Sequence, residues 1–189
     1  MQKGGWSPVN SNLPNIEQLR YPIGPFVSPG QPTSAQRKES IDEISNITAL
    51  WRATVQSLTP EQLNTPYRPG GWSVKQVVHH LADNNMNAYL RFKRGLTEEA
   101  PEIPSYREEL WAELSDYHEE PIETSLALLD SLNRRFAGLL VSLEEEQFNR
   151  TFISLMLGTM TLDTAIQRYN WHNRHHLAQI TSLIERSGW

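Results

Sequence analysis

The sequence contains no cysteine. Disulfides, thiolate-held zinc and a thiol nucleophile of its own are therefore excluded, and any bound metal must rest on His, Asp or Glu. It has no cluster of Lys and Arg, and its formal net charge is -5. An acidic chain of that kind suits a phosphate backbone poorly, so no nucleic-acid partner is expected. No apolar run approaches the roughly 20 residues that a membrane span needs, and none of signal-peptide length occurs in the opening MQKGGWSPVN. No membrane partner is expected, and the cytoplasm is the expected location. No alternation of strand and helix patterns of the βαβ kind occurs either, which excludes a parallel-sheet fold.

What is present is helical. The length of 189 residues suits one domain with a real core, and 38% hydrophobic with 21% charged residues is an ordinary globular composition. Residues 1–33 carry six of the 12 prolines. The stretch Leu19-Arg-Tyr-Pro-Ile-Gly-Pro-Phe26 cannot continue a helix, and it reads as an extended arm whose Tyr21, Ile23 and Phe26 pack on the domain formed by residues 34–189.

Within that domain, Ile41, Ile44, Ile47, Leu50, Trp51 and Val55 recur at helical spacing, which predicts a first helix from Ser34 to Leu58. Thr59-Pro60-Glu61 adds a short capped turn, and residues 66–72 form a Pro/Gly loop. Ser73 and Gln76 make a capping box for a second helix that runs to about Arg94, with Gly95 as its C′ residue. Residues 96–120 form a long connection with a helical piece around Tyr106–Glu113. A third helix starts near Pro121, and a fourth runs from Thr161 to about Arg186. Thr151–Met160 between them is a hairpin or an irregular loop. The fold class is all-α, a four-helix bundle.

The chain echoes itself. Ser57-Leu-Thr-Pro-Glu-Gln-Leu-Asn64 resembles Ser142-Leu-Glu-Glu-Glu-Gln-Phe-Asn149, and each leads through a loop to a Ser/Thr-capped helix that contains His-His-Leu. Two related helix pairs would place the second and fourth helices equivalently, both facing one centre.

Five of the six histidines fall in those two helices: His79 and His80, then His172, His175 and His176. His172 and His176 are spaced i, i+4, so on a helix they share a face with about 5–6 Å between Cβ atoms, close enough for one metal ion. The spacing is that of the zinc motif HExxH, but Asn173 stands where that motif has its general base. Leu162, Ile166, Tyr169, Ile180 and Leu183 mark the buried stripe, which includes His172 and His176 and leaves His175 at its side with Arg168. On the second helix, Val74, Val77, Val78 and Leu81 define the buried face. His80 borders it and opens a polar row through Asp83 or Asn84, Asn87 and Arg91, so His80 is preferred over the alternative, His79. One buried histidine is more often a hydrogen-bonded core residue than a ligand. An i, i+4 pair beside a second pair favours metal, and three ligands would leave an open, catalytic position.

LRYPIGPF, TPYRPGGWSVKQVVHHLAD, NAYLRFKRGLTEE, YREELWAEL and WHNRHHLAQI, in this order and spacing, resemble the DinB-like, YfiT-type family of metal-dependent hydrolases. The resemblance implies a four-helix bundle, often a homodimer, with one zinc or nickel ion per subunit on three histidines, which carry over to His80, His172 and His176. It also implies a small-molecule substrate and, through relatives linked to thiol S-transfer, a low-molecular-weight thiol such as bacillithiol. Relatives often carry a Tyr-His-Pro loop after the Arg-Thr-Phe near position 150, where this chain reads Ile153-Ser-Leu-Met-Leu157. At such a centre Asp83 or a loop carboxylate is expected to orient a nucleophile and Arg91 to receive an anionic substrate group. Trp111 and Trp171 are candidate pocket walls, and His118 or an acidic residue of the long connection a candidate fourth ligand. A non-enzymatic metal-binding stress protein is the alternative to an enzyme.

Overall fold

Asn15 accepts from the N–H of Glu17 and exchanges a capping box with Gln18, and this starts a helix, α1 (Ile16–Arg20). The computed structural model describes residues 15–189, and residues 1–14 of the expected arm lie outside that span. The arm is thus not extended throughout. Its helix stops where Pro22 restricts Tyr21, and the chain then runs on to α2 (Ser34–Val55), capped by Thr33. The helix α2 ends three residues before the expected Leu58.

Thr59 caps the one-turn α3 (Pro60–Leu63), and Ser73 caps α4 (Val74–Thr97) with the Ser73–Gln76 box read from sequence. Gly95 does not end α4. A Cβ there would come within 3.1 Å of the Leu162 side chain and 3.7 Å of Phe152, so the glycine permits a close helix approach and the helix runs past it. The connection that follows holds strand β1 (Glu102–Ile103), α5 (Glu108–Trp111) and α6 (Ser115–Glu119). Next come α7 (Ile122–Val141), a 3-10 turn (Glu145–Asn149), strands β2 (Thr151–Ser154) and β3 (Gly158–Thr161), and α8 (Leu162–Ser187). The apolar segment before α8 is therefore a hairpin. β1 joins it in parallel to β2, so a three-stranded sheet sits at one end of the helices. No helix of the described residues is long and apolar enough to cross a membrane.

The bundle is made of α2, α4, α7 and α8. Each of α2 and α4 packs on both α7 and α8. The two helices that follow one another in each half, α2 with α4 and α7 with α8, therefore lie across the bundle from each other. Two apolar clusters fill it, one around Ile44, Phe92, Phe136 and Ile166, the other around Trp51, Val78, Leu126 and Ile180. A buried polar layer lies among them. Asn133 donates to Thr48 Oγ1 (3.0 Å), Tyr169 donates to Asn133 Oδ1 (2.6 Å), and Asn85 and Asn173 exchange amide bonds. The bonds satisfy groups that would be costly to bury alone.

The repeat read from sequence is present, with one correction. The two similar octapeptides form matching turns with capping boxes, Thr59 with Gln62 and Glu144 with Gln147. The amides of Val74 and Leu162, the first residues of α4 and α8, bond back to Thr65 O (3.2 Å) and Arg150 O (2.9 Å). Counted from those starts, however, His79-His80 matches Gln167-Arg168, and His175-His176 matches Asn87-Ala88. The two His-His-Leu strings are out of register by two helical turns, so they do not descend from the repeat.

A buried ion pair closes the sheet end. Arg37 grips Asp163 through Nε–Oδ1 (2.6 Å) and Nη2–Oδ2 (2.8 Å), and it reaches Glu145 at 2.8 Å. Arg37 and Asp163 are 5% and 4% exposed.

Candidate metal centre

The buried face of α8 turns His172 and His176 inward one turn apart, and α4 presents His80 to the same point. The Nε2 atom of His172 lies 3.4 Å from that of His80 and 3.3 Å from that of His176. Among the described residues these three form a group able to hold a metal ion. Metal–nitrogen bonds of about 2.0–2.1 Å at near-tetrahedral angles separate two nitrogens by about 3.3 Å. The two spacings about His172 match that separation, and all three ligand atoms lie within 4.8 Å of one another.

Each ring is oriented from its far side. His176 Nδ1–H donates to Gln179 Oε1 (2.8 Å), which leaves its Nε2 lone pair facing the centre. His80 Nδ1 meets the hydroxyl of Tyr106 (3.3 Å), and His172 Nδ1 meets the Asn84 side-chain amide (3.1 Å). A metal on Nε2 places the proton on Nδ1, so Asn84 then offers its amide oxygen. Partners of this kind fix the tautomer and direction of metal-binding imidazoles. Burial pushes the His80 pKa down to about 3. Burial first, and then the neighbouring imidazoles, hold His172 and His176 well below the usual histidine value. All three rings are neutral at pH 7, as metal binding requires.

The other histidines lie apart. His79 spends both nitrogens elsewhere, Nδ1 on Ser125 Oγ (2.7 Å) and Nε2 on Glu120 O (3.2 Å). His175 is not merely lateral. It is buried under the arm, stacked on Trp171 (4.8 Å) and 5.6 Å from the ring of Tyr21. Gln179 binds it as well, donating to His175 Nε2 (2.9 Å) and to Arg20 O (2.8 Å), so one amide ties the arm to a centre histidine. His118 is exposed and outside the three-histidine group, so the expectation of a fourth ligand there is not met.

The centre opens into a cavity of about 800 Å³. Trp72 lies over His80 and His176, with ring centroids 4.7 and 6.4 Å away. Arg91 lines the cavity, as its expected role requires, and Arg168 joins it there. Asp83 does not line it. Its carboxylate instead accepts the Tyr117 hydroxyl at 2.6 Å, and burial raises its pKa. Trp171 is a wall residue, whereas Trp111 packs behind the cavity on the ring of Tyr106 (4.5 Å).

Sequence reasoning missed Tyr106, Gln179, Arg168 and Trp72. Gln179 carried a signal, because it is a polar residue beside the buried stripe, three positions after His176. Tyr106 and Trp72 sit on irregular segments, where spacing says nothing about direction.

The profile of the DinB superfamily matches residues 43–180. A candidate metal-dependent hydrolase from Bacillus mycoides is 46% identical over 174 residues, which cover 92% of this chain and 100% of that protein. Another from Geobacillus kaustophilus is 46% identical over 178 residues, 94% of this chain and 100% of its own. The solved structure of YfiT from Bacillus subtilis, described as a candidate metal-dependent hydrolase with an unusual four-helix bundle topology, matches with a TM-score of 0.89 at 43% identity. That match covers 91% of this chain and 99% of YfiT. TT2238, a four-helix bundle protein, is alike in fold, with a TM-score of 0.53 at 22% identity over 75% of this chain and 94% of its own.

Proposed function

The chain belongs to the DinB superfamily, and on that premise we propose that it is a metal-dependent hydrolase of a small molecule, with one divalent ion, zinc or nickel, on His80, His172 and His176. The observation that carries this reading is the convergence of three histidines, with the Nε2 atoms of His80 and His176 at 3.4 and 3.3 Å from that of His172 and all three ligand atoms within 4.8 Å of one another, at a cavity of about 800 Å³. Neutral imidazoles suit zinc and nickel alike. Among the described residues the group offers three protein ligands, and a four-coordinate ion on them would keep one position for water or substrate. An ion bound there supplies Lewis acidity, enough to make hydroxide available near neutral pH.

The protein's own part is positional. Gln179, Tyr106 and Asn84 hold the three rings, and Trp72 keeps water from one side of them. Metal analysis of the purified protein tests the reading. About one divalent ion per chain is expected, with loss of occupancy in His80→Ala, His172→Ala and His176→Ala, and ester or amide hydrolysis should vanish with the metal. Full occupancy in all three variants would overturn it.

A second reading has an observation of its own. Asn173, in the place of the HExxH glutamate, is locked to Asn85, and Asp83 is held by Tyr117. No carboxylate belongs to the three-histidine group of the described residues. Transfer of a small-molecule thiol needs no such base once the thiol is ionised, and the sulfur would come from the cosubstrate, because the chain has no cysteine. Consumption of an electrophile only when thiol is present favours transfer, and consumption with water alone favours hydrolysis.

A further inference from the structure

We infer that the substrate carries a carboxylate, held between α4 and α8 by Arg91 and Arg168 beside the three histidines. The inference rests on the proposed function, since it takes the three-histidine centre as the reacting end of the same cavity.

Both arginines line that cavity and are half-buried. Every ion pair of the described residues engages other side chains, and among the described residues neither arginine donates a hydrogen bond to the protein. A guanidinium offers five N–H donors in a planar fork that matches a carboxylate. Two such forks, part-buried and without a hydrogen-bond acceptor among the described residues, are costly unless a further acceptor completes them. Among the described residues the cavity wall also carries Arg20, Arg68, Arg107, Glu108 and Glu109, and Arg107 is paired with Glu109. Glu108 stands at the mouth near Arg168, and the Tyr106 hydroxyl lies near Arg91. Burial weakens the hold of each arginine on its proton, and for Arg168 the charge of Arg91 adds to the effect. An anion between them offsets both the burial and the mutual repulsion.

The helix register sets the distance. Gly95 against Leu162, Asn85 with Asn173, and His80 beside His176 make α4 and α8 antiparallel. That register brings Arg91 within a turn of the level of Arg168. Arg168 precedes His172 by one turn, roughly 6 Å along the axis. The rings of Phe26 and Trp171, each 5.7 Å from the Arg168 guanidinium, hold it in place. A molecule with a carboxylate a few bonds from its reacting group spans the two ends.

Calorimetric titration with glutarate, its uncharged diamide and inorganic phosphate tests this, on the protein as purified and after chelator treatment. Glutarate is expected to bind in both forms and the diamide in neither. Arg91→Gln and Arg168→Gln should each weaken glutarate about 10- to 100-fold, as loss of a charge-assisted pair does. Arg174→Gln, which alters an arginine paired with Glu43 on the outer face, serves as the folded control and should bind as wild type. Unchanged affinity in both cavity variants, equal binding of the diamide, or tighter binding of phosphate than of glutarate would each overturn the inference. Because the chelated protein is read separately, failure of the metal reading leaves this test intact, and the reverse also holds.

Discussion

Asn85 and Asn173 exchange amide hydrogen bonds (3.2 and 3.4 Å) in the buried centre of the bundle, each at the same distance from the start of its helix. Reciprocal bonding between matched residues is what a local two-fold axis produces. Thr48 and Asn133, matched by their spacing from the turns that follow, bond in the same layer at 3.0 Å. The axis relates α2–α4 to α7–α8, and the functional groups break it. His80 occupies the position that matches Arg168, and Gln179 the position that matches Arg91. One side of the axis thus carries the imidazole centre and the other the guanidinium pair.

Replacing either member of the central pair should cost more than replacing both. Asn173→Leu leaves the Asn85 amide buried without its partner, and Asn85→Leu leaves Asn173 only its bond to Tyr169 O (2.9 Å) with its amide oxygen unpaired; each is expected to lower unfolding stability by about 1–3 kcal/mol. The double variant is expected to lose less than the sum of the singles. Urea titration of the four proteins measures the coupling, and strict additivity would count against a mutual pair.

Gln179→Leu should weaken metal binding about 10- to 100-fold without removing a ligand, because His176 loses the acceptor that fixes its tautomer. The same change frees the arm at Arg20 O. Competition with a chromogenic chelator gives the affinity, and protease sensitivity near residues 20–30 reports the arm.

The Asp163 carboxylate and the Arg37 guanidinium form a buried two-bond pair. Asp163→Ala leaves the buried guanidinium only its 2.8 Å contact with Glu145, and a loss toward the lower end of about 3–5 kcal/mol is expected. Thermal or urea unfolding checks it, and a change below about 1 kcal/mol, the scale of a surface pair, would contradict the burial argument.

Asp83 supplies the pH dependence. Burial holds its folded pKa above the unfolded carboxylate value. The folded state therefore binds that proton more tightly, and the residue opposes folding at neutral pH, less so as pH falls through the raised pKa. Asp83→Asn keeps an acceptor for the Tyr117 hydroxyl and removes the charge. It should stabilise the protein at pH 7 relative to wild type, with the gain shrinking toward acid. Paired denaturation curves from pH 7 down to about 3.5, below the ordinary Asp value, measure this, and a gain that grows toward acid would refute it.

Periodicity, caps and spacing carried most of the fold and half of the centre. Thr33, Thr59, Ser73 and Thr161 announce helix starts by side-chain chemistry that acts within three residues, and the i, i+4 spacing of His172 and His176 has the same meaning in any helix. Those features are local, so the sequence by itself determined them. Gly95 misled because a glycine near a helix end reads as a stop, and only the approach of Leu162 and Phe152 reveals its use. The paired His-His-Leu strings misled because likeness of letters does not set register, which the helix starts decide. The convergence of His80 on His172 and His176, the diversion of Asp83 to Tyr117, and the placing of Tyr106, Gln179 and Arg168 around them follow from the tertiary structure. Each depends on contacts between segments far apart in the chain, where a side chain's direction follows from how whole helices pack and not from its neighbours in sequence.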